Sequence, residues 1–140
     1  MTAIGSDGGF ADEVRARFSY LENKGFVATE ASPNEVRYES NKVNLVVAHS
    51  ERDGEVSISF GRRDRPEKFS FTLFLRLVNP TLERLLGERM PQERSQLRKC
   101  LDDLAGALDR EGTQILAGDD LVFERMKHVR WWDFQPQAIK

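Results

Sequence analysis

Three groups of residues in this chain are of types and spacings that could do chemistry. Arg62-Arg63-Asp64-Arg65 sets three guanidinium groups within four positions, and a guanidinium forks onto two oxygens at once, so the run suits phosphate or an acidic protein surface. Trp131-Trp132, with Arg130 before them and Phe134 after, joins the side-chain types most enriched at binding hot spots. One ring of such a pair can dock in a core while the other faces a partner or stacks on arginine. The plainer readings are a solvated loop for the arginines and a core-sealing C-terminal segment for the tryptophans. The third group is His49 with Glu51 and Asp53, where a weak cation contact is conceivable, but the position reads as a solvated loop histidine and not as a catalytic base.

Other chemistries lack their residues. Zinc needs ligands at short, regular spacings, and neither His49 nor His128 lies three or four residues from a second histidine or a cysteine. No Gly-x-Ser-x-Gly elbow and no lysine-bearing Gly-rich loop opening a helix occurs. Gly5-Ser6-Asp7-Gly8-Gly9 is glycine-rich but follows no strand, and reads as a mobile end. Asp102-Asp103 and Asp119-Asp120 are adjacent carboxylates, which point apart on a helix and so form no acid–base pair. Cys100 has Leu97, Leu101 and Leu104 at helical spacing, surroundings that raise a thiol's pKa, so it reads as core packing. Neither a catalytic residue, a metal nor a cofactor is expected.

The elements that must position the arginines are strands. Val36 and Tyr38, then Val43, Leu45 and Val47, then Val56, Ile58 and Phe60 alternate with polar residues at period two, so the sheet should bury one face and leave the other mostly wet. Ser32-Pro33-Asn34, Ser40-Asn41-Lys42 and Arg52-Asp53-Gly54 are the turns between them, and Phe26 to Thr29 supplies a first short strand. A helix precedes them, with Phe10, Val14, Phe18 and Leu21 on one side and Gly25 at its C-terminal cap. Phe69 to Val78 fits both periodicities and is expected to be a strand end passing into a helical turn. Asn79-Pro80 should open a short helix with Leu82, Leu85 and Leu86 on one side and Gly87 closing it. From Pro91 to about Glu111 the stripe Leu97, Leu101, Leu104 and Leu108 marks the longest helix and the cover for the sheet. A last helix starts at the Asp119 cap, with Val122, Met126 and Val129 on one face.

The expected fold is therefore α+β, an antiparallel meander of about four strands covered by an N-terminal helix and C-terminal helices. Residues 1–9 read as a flexible leader and 10–140 as a single domain. With 140 residues the chain can bury roughly two-thirds of its unfolded surface without metal or disulfide staples. Its 21 basic and 23 acidic residues are intermixed and sum to −2, which excludes a global attraction to nucleic acid or anionic membrane but not a local patch. One cysteine allows no internal disulfide, and neither a signal peptide nor a membrane span is evident, so a cytoplasmic protein with no membrane partner is expected.

Phe18 to Arg62 carries the helix end Leu21-Glu22-x-x-Gly25-Phe26 and the strands Val36-Arg37-Tyr38-Glu39-Ser40 and Val56-Ser57-Ile58-Ser59-Phe60-Gly61-Arg62. This third of the chain resembles small uncharacterised bacterial proteins with an immunity-protein look. The resemblance implies a bacterial cytoplasmic protein that neutralises a cognate toxin by binding it, and it carries over no binding residue. The expected function is thus a non-enzymatic protein-binding module, with Arg62, Arg63, Arg65, Trp131 and Trp132 as its contact residues. A nucleic-acid-associated regulator using the basic loop 62–65 is one alternative. A small-ligand-binding domain, with polar groups converging around Arg37, Tyr38 and Glu39, is the other.

Overall fold

A computed structural model of the chain describes residues 9–86 and 89–128. Alternation of apolar and polar side chains builds an antiparallel sheet of five strands in sequence order: β1 (Val27–Ser32), β2 (Glu35–Glu39), β3 (Val43–His49), β4 (Val56–Arg62) and β5 (Phe69–Ser70). The register sets Tyr38 opposite Leu45 and Leu45 opposite Phe60, so the apolar positions share one face. Val36, Tyr38, Val43, Leu45, Val47, Val56, Ile58 and Phe60 are each at most 2% exposed. Two serines hold the turns. Ser40 Oγ accepts from the backbone N–H groups of Lys42 and Val43, and Ser50 Oγ from those of Arg52 and Asp53.

Phe10, Val14, Phe18 and Leu21 are fully buried, as their spacing requires. The chain carries them in two pieces: α1 (Gly9–Arg17) and, after Phe18, a 3₁₀ turn (Ser19–Lys24) closed by Gly25 at φ +91°. The helix thus begins at Gly9, one residue inside the expected leader. The expected strand end and helical turn of Phe69–Val78 are β5 and α2 (Phe71–Val78), with Ser70 Oγ accepting from Leu73 N–H at the junction. The helix α3 (Pro80–Leu85) is capped by Asn79 as expected. Its buried residue, however, is Glu83 and not Leu85, which is 74% exposed, because Glu83 turns inward to meet Arg76 and Arg89 at 3.4 and 3.5 Å. The long helix α4 (Arg94–Glu111) starts three residues after Pro91 and buries its leucine stripe together with Cys100. A short α5 (Thr113–Leu116) leads to α6 (Asp120–Lys127), capped by Asp119 and buried through Val122, Phe123 and Met126. Val129, Gly87, Trp131 and Trp132 lie outside the described residues.

The closest backbone approaches to the sheet are those of α1 on β2 and α2 on β4, while α4 packs on α1. The N-terminal helix thus covers the sheet as expected, together with α2, and α4 packs on that helix. Tyr20 donates its hydroxyl to the Ala105 carbonyl at 2.8 Å, and Glu13 bridges α1 to α4 by meeting Arg17 at 2.6 Å, Arg98 at 2.9 Å and Arg94 at 3.6 Å. Phe60 joins the other side, with the rings of Phe69, Phe74 and Phe123 centred 5.8, 6.2 and 5.8 Å away. Among the described residues no helix is long and apolar enough to cross a membrane.

Candidate functional site

The register that buries Phe60 also decides where the arginine run goes. Gly61 pairs with Asn44 and Arg62 with Val43, so the chain leaves β4 beside the Ser40–Lys42 turn. From there the 62–68 connection folds back over the outer face of the sheet. Gly61 makes this possible: a Cβ at that position would collide with the backbone carbonyl of Glu67. The connection roofs Val46, which is only 7% exposed although it points away from the main core, and leaves a gap of about 20 Å³ above Asn44 and Ser59. The outer face is thus wet over part of its area and not over all of it.

Arg62, expected to meet a partner, is committed to the fold. Its guanidinium lies 2.9 Å from Glu124 and 3.6 Å from Asp120, and sits 5.2 Å from the centre of the Phe123 ring. Only 16% of its side chain is exposed. It straps α6 to the end of β4, and no local pattern announced this, because its partners are 58 and 62 residues away.

Arg63 and Arg65 remain at the surface. Arg63 N–H donates to the Lys42 carbonyl at 2.8 Å and its Nη1 to the Ser40 carbonyl at 3.0 Å, so its position is fixed by backbone while no carboxylate among the described residues pairs with its charge. Arg65 N–H closes a turn onto the Arg62 carbonyl, and its side chain is exposed. Beside them stands Lys42, a residue sequence reasoning passed over as a mere turn position. The stem of Lys42 rests on the α5–α6 junction at Gly118, where φ is +74° and an added Cβ would come within 2.8 Å of the lysine Cβ. These elements enclose an open cleft of about 580 Å³ lined by Lys42, Arg62, Arg63, Arg65, Asp64 and Asp120, among others. A second cleft of about 260 Å³ adjoins it through Asn41 and Lys42 and adds Lys24. With Asp120 turned to Arg62, the cations Lys24, Lys42, Arg63 and Arg65 face, among the described residues, one unpaired carboxylate, Asp64. A chain of net charge −2 thereby presents a locally positive end.

The other candidates do not converge. His49 is half-buried and stacked on Phe10 with ring centres 5.6 Å apart, not a solvated loop residue. Burial holds its pKa below the usual range, with Glu51 and Asp53 pulling the other way. It stands at the opposite end of the sheet from the cleft. Tyr38 points into the core, whereas Arg37 lies on the other side of the strand, 3.1 Å from Glu35, so the expected convergence of Arg37, Tyr38 and Glu39 does not form. Asp102 meets Arg17 at 2.8 Å and Asp103 meets Lys99 at 3.1 Å, each going its own way. Among the described residues no three His, Cys, Asp or Glu side chains are grouped to hold a metal ion. The tryptophan pair, Trp131 and Trp132, falls outside those residues. The chain matches no protein-family model, no curated protein and no solved structure.

Proposed function

We propose that the protein is a non-enzymatic, cytoplasmic protein-binding module, of the toxin-neutralising immunity type, whose docking surface is the positive end of the sheet. The observation that carries this reading is the placement of cations that have no ion-pair partner among the described residues. Backbone hydrogen bonds hold Arg63, and a glycine contact holds Lys42, so their charges are available without a rearrangement. Binding residues on connections anchored to a rigid sheet keep their entropy cost low. The immunity-type form of the reading comes from the resemblance of Phe18 to Arg62 described above.

The experiment is affinity capture of the tagged protein from its native cytoplasm at low and at moderate salt, with mass spectrometry of what is retained. A stoichiometric protein that survives moderate salt, and whose activity is blocked by adding one equivalent of this chain, supports the reading. Nucleic acid that is lost at moderate salt would replace it with the regulator reading, for which the same cations speak.

A further inference from the structure

We infer that the segment occupying the cleft is an acidic stretch of a partner protein, with at least two carboxylates, one received between Arg63 and Arg65 and another by Lys42. This deepens the protein-binding reading and rests on it. Three features select the occupant. The first is charge: Arg62 is neutralised by Glu124 and Asp120, so the charge left uncompensated belongs to Lys42, Arg63 and Arg65, with Lys24 in the adjoining cleft. The second is composition. Among the described residues the walls of both clefts hold no aromatic ring on which a nucleic-acid base could stack, while carboxylates need only the guanidinium and ammonium donors present. The third is extent. A volume of about 580 Å³ bordered by Asp64 and Asp120 receives a short projecting segment, whereas a strand of nucleic acid requires a cationic track that continues along its backbone.

The geometry also assigns different tasks to the cations. Arg63 already spends one donor on the Ser40 carbonyl and so offers an oriented guanidinium. Arg65 and Lys42 have no side-chain partner among the described residues and add their charge beside it. Both are exposed, so their removal leaves the buried core intact.

The test uses the full chain and three fluorescent probes of matched length and charge: a glutamate-rich peptide, a lysine-rich peptide and a single-stranded oligothymidylate, titrated at low and at physiological salt. The glutamate-rich peptide is expected to bind tightest. The double variant K42A/R65A should weaken it at least about tenfold, as loss of two cross-interface charge pairs implies, while R52A at the far end of the sheet leaves it unchanged. Tighter binding of the oligothymidylate overturns the inference in favour of nucleic acid. Equal binding by the wild type and K42A/R65A, or no binding of the glutamate-rich peptide at low salt, overturns it outright. Failure here is separable from failure of the protein-binding reading: a captured partner retained equally by wild type and K42A/R65A sinks the acidic segment and spares the module. Peptide binding with no captured protein partner sinks the module and the partner segment with it, and leaves only the cleft's preference for carboxylates.

Discussion

Two tyrosines offer the sharpest check on this structure, because the same substitution should move stability in opposite directions. Tyr38 is 1% exposed, and among the described residues its hydroxyl has no hydrogen-bond partner. Tyr20 donates its hydroxyl to the Ala105 carbonyl at 2.8 Å. A buried hydroxyl without a partner costs about 1–3 kcal/mol, and phenylalanine fills nearly the same volume, so Tyr38→Phe should stabilise the protein by about 1 kcal/mol. The melting temperature then rises by about 4 °C for a chain of this size. The Phe18 ring, 6.4 Å from that of Tyr38, keeps its neighbour. Tyr20→Phe instead removes the bond that ties the 3₁₀ turn to α4 and should destabilise by about 1 kcal/mol. The assay is urea denaturation of both variants beside the wild type. Alkaline titration gives an independent reading: burial pushes the Tyr38 phenol up to about 12, with Glu22 adding to the rise and Arg15 opposing it. A raised folded-state pKa contributes stability that is fully present below about pH 10 and is lost as the pH climbs toward 12. Tyr38→Phe should remove that part of the alkaline loss. If Tyr38→Phe destabilises as much as Tyr20→Phe, the hydroxyl is bonded in the native protein and the reasoning fails.

Gly61→Ala drives a Cβ against the Glu67 carbonyl and must lift the 62–68 connection, so it should cost about 1–3 kcal/mol, read as a lower urea midpoint at an unchanged slope. It should also weaken any ligand of the cleft, because Arg63 and Arg65 ride on that connection. Glu13→Gln removes the carboxylate shared by Arg17, Arg94 and Arg98, whose side chains are 21, 25 and 52% exposed, so a discounted loss of about 1–2 kcal/mol at neutral pH is expected. Burial raises the Glu13 pKa, but hydrogen bonds and charge from Arg98 and Arg17 outweigh it and leave the group below its ordinary value of 4.5. Its stabilisation is therefore present above that value and lost as the pH falls through the lower folded-state pKa. The glutamine variant should lack this acid slope, and parallel acid-unfolding curves would contradict the assignment.

The sheet was legible because its signal is local. Alternation in Val36–Tyr38, Val43–Val47 and Val56–Phe60 fixes both the strands and the face they bury. Helix caps at Asn79 and Asp119 were legible for the same reason: a short polar side chain accepts from a backbone N–H two or three residues on. What escaped the sequence is long-range. Arg62 looks identical in type to Arg63 and Arg65, and only the arrival of Glu124 and Phe123 beside β4 takes it out of the site. Lys42 became a site residue through the same arrival, since Gly118 and Asp120 build the facing wall. Glu83 was missed because short-helix periodicity favoured Leu85, while the carboxylate's partners, Arg76 and Arg89, lie outside that short helix.

The Arg62 strap has a consequence for the order in which this molecule becomes competent. All strand pairings are between sequence neighbours, so the sheet closes through short loops and belongs to the fast, local part of folding. The cleft does not. Its second wall is the α5–α6 junction, reached only when the chain past residue 116 returns to β4 and Glu124 finds Arg62. A chain halted at Glu111 would possess every strand and all the cations of the first wall, yet have no enclosed place to receive a partner. Recognition is thus tied to the return of α6 to β4, and a half-made molecule offers its partner nothing to hold.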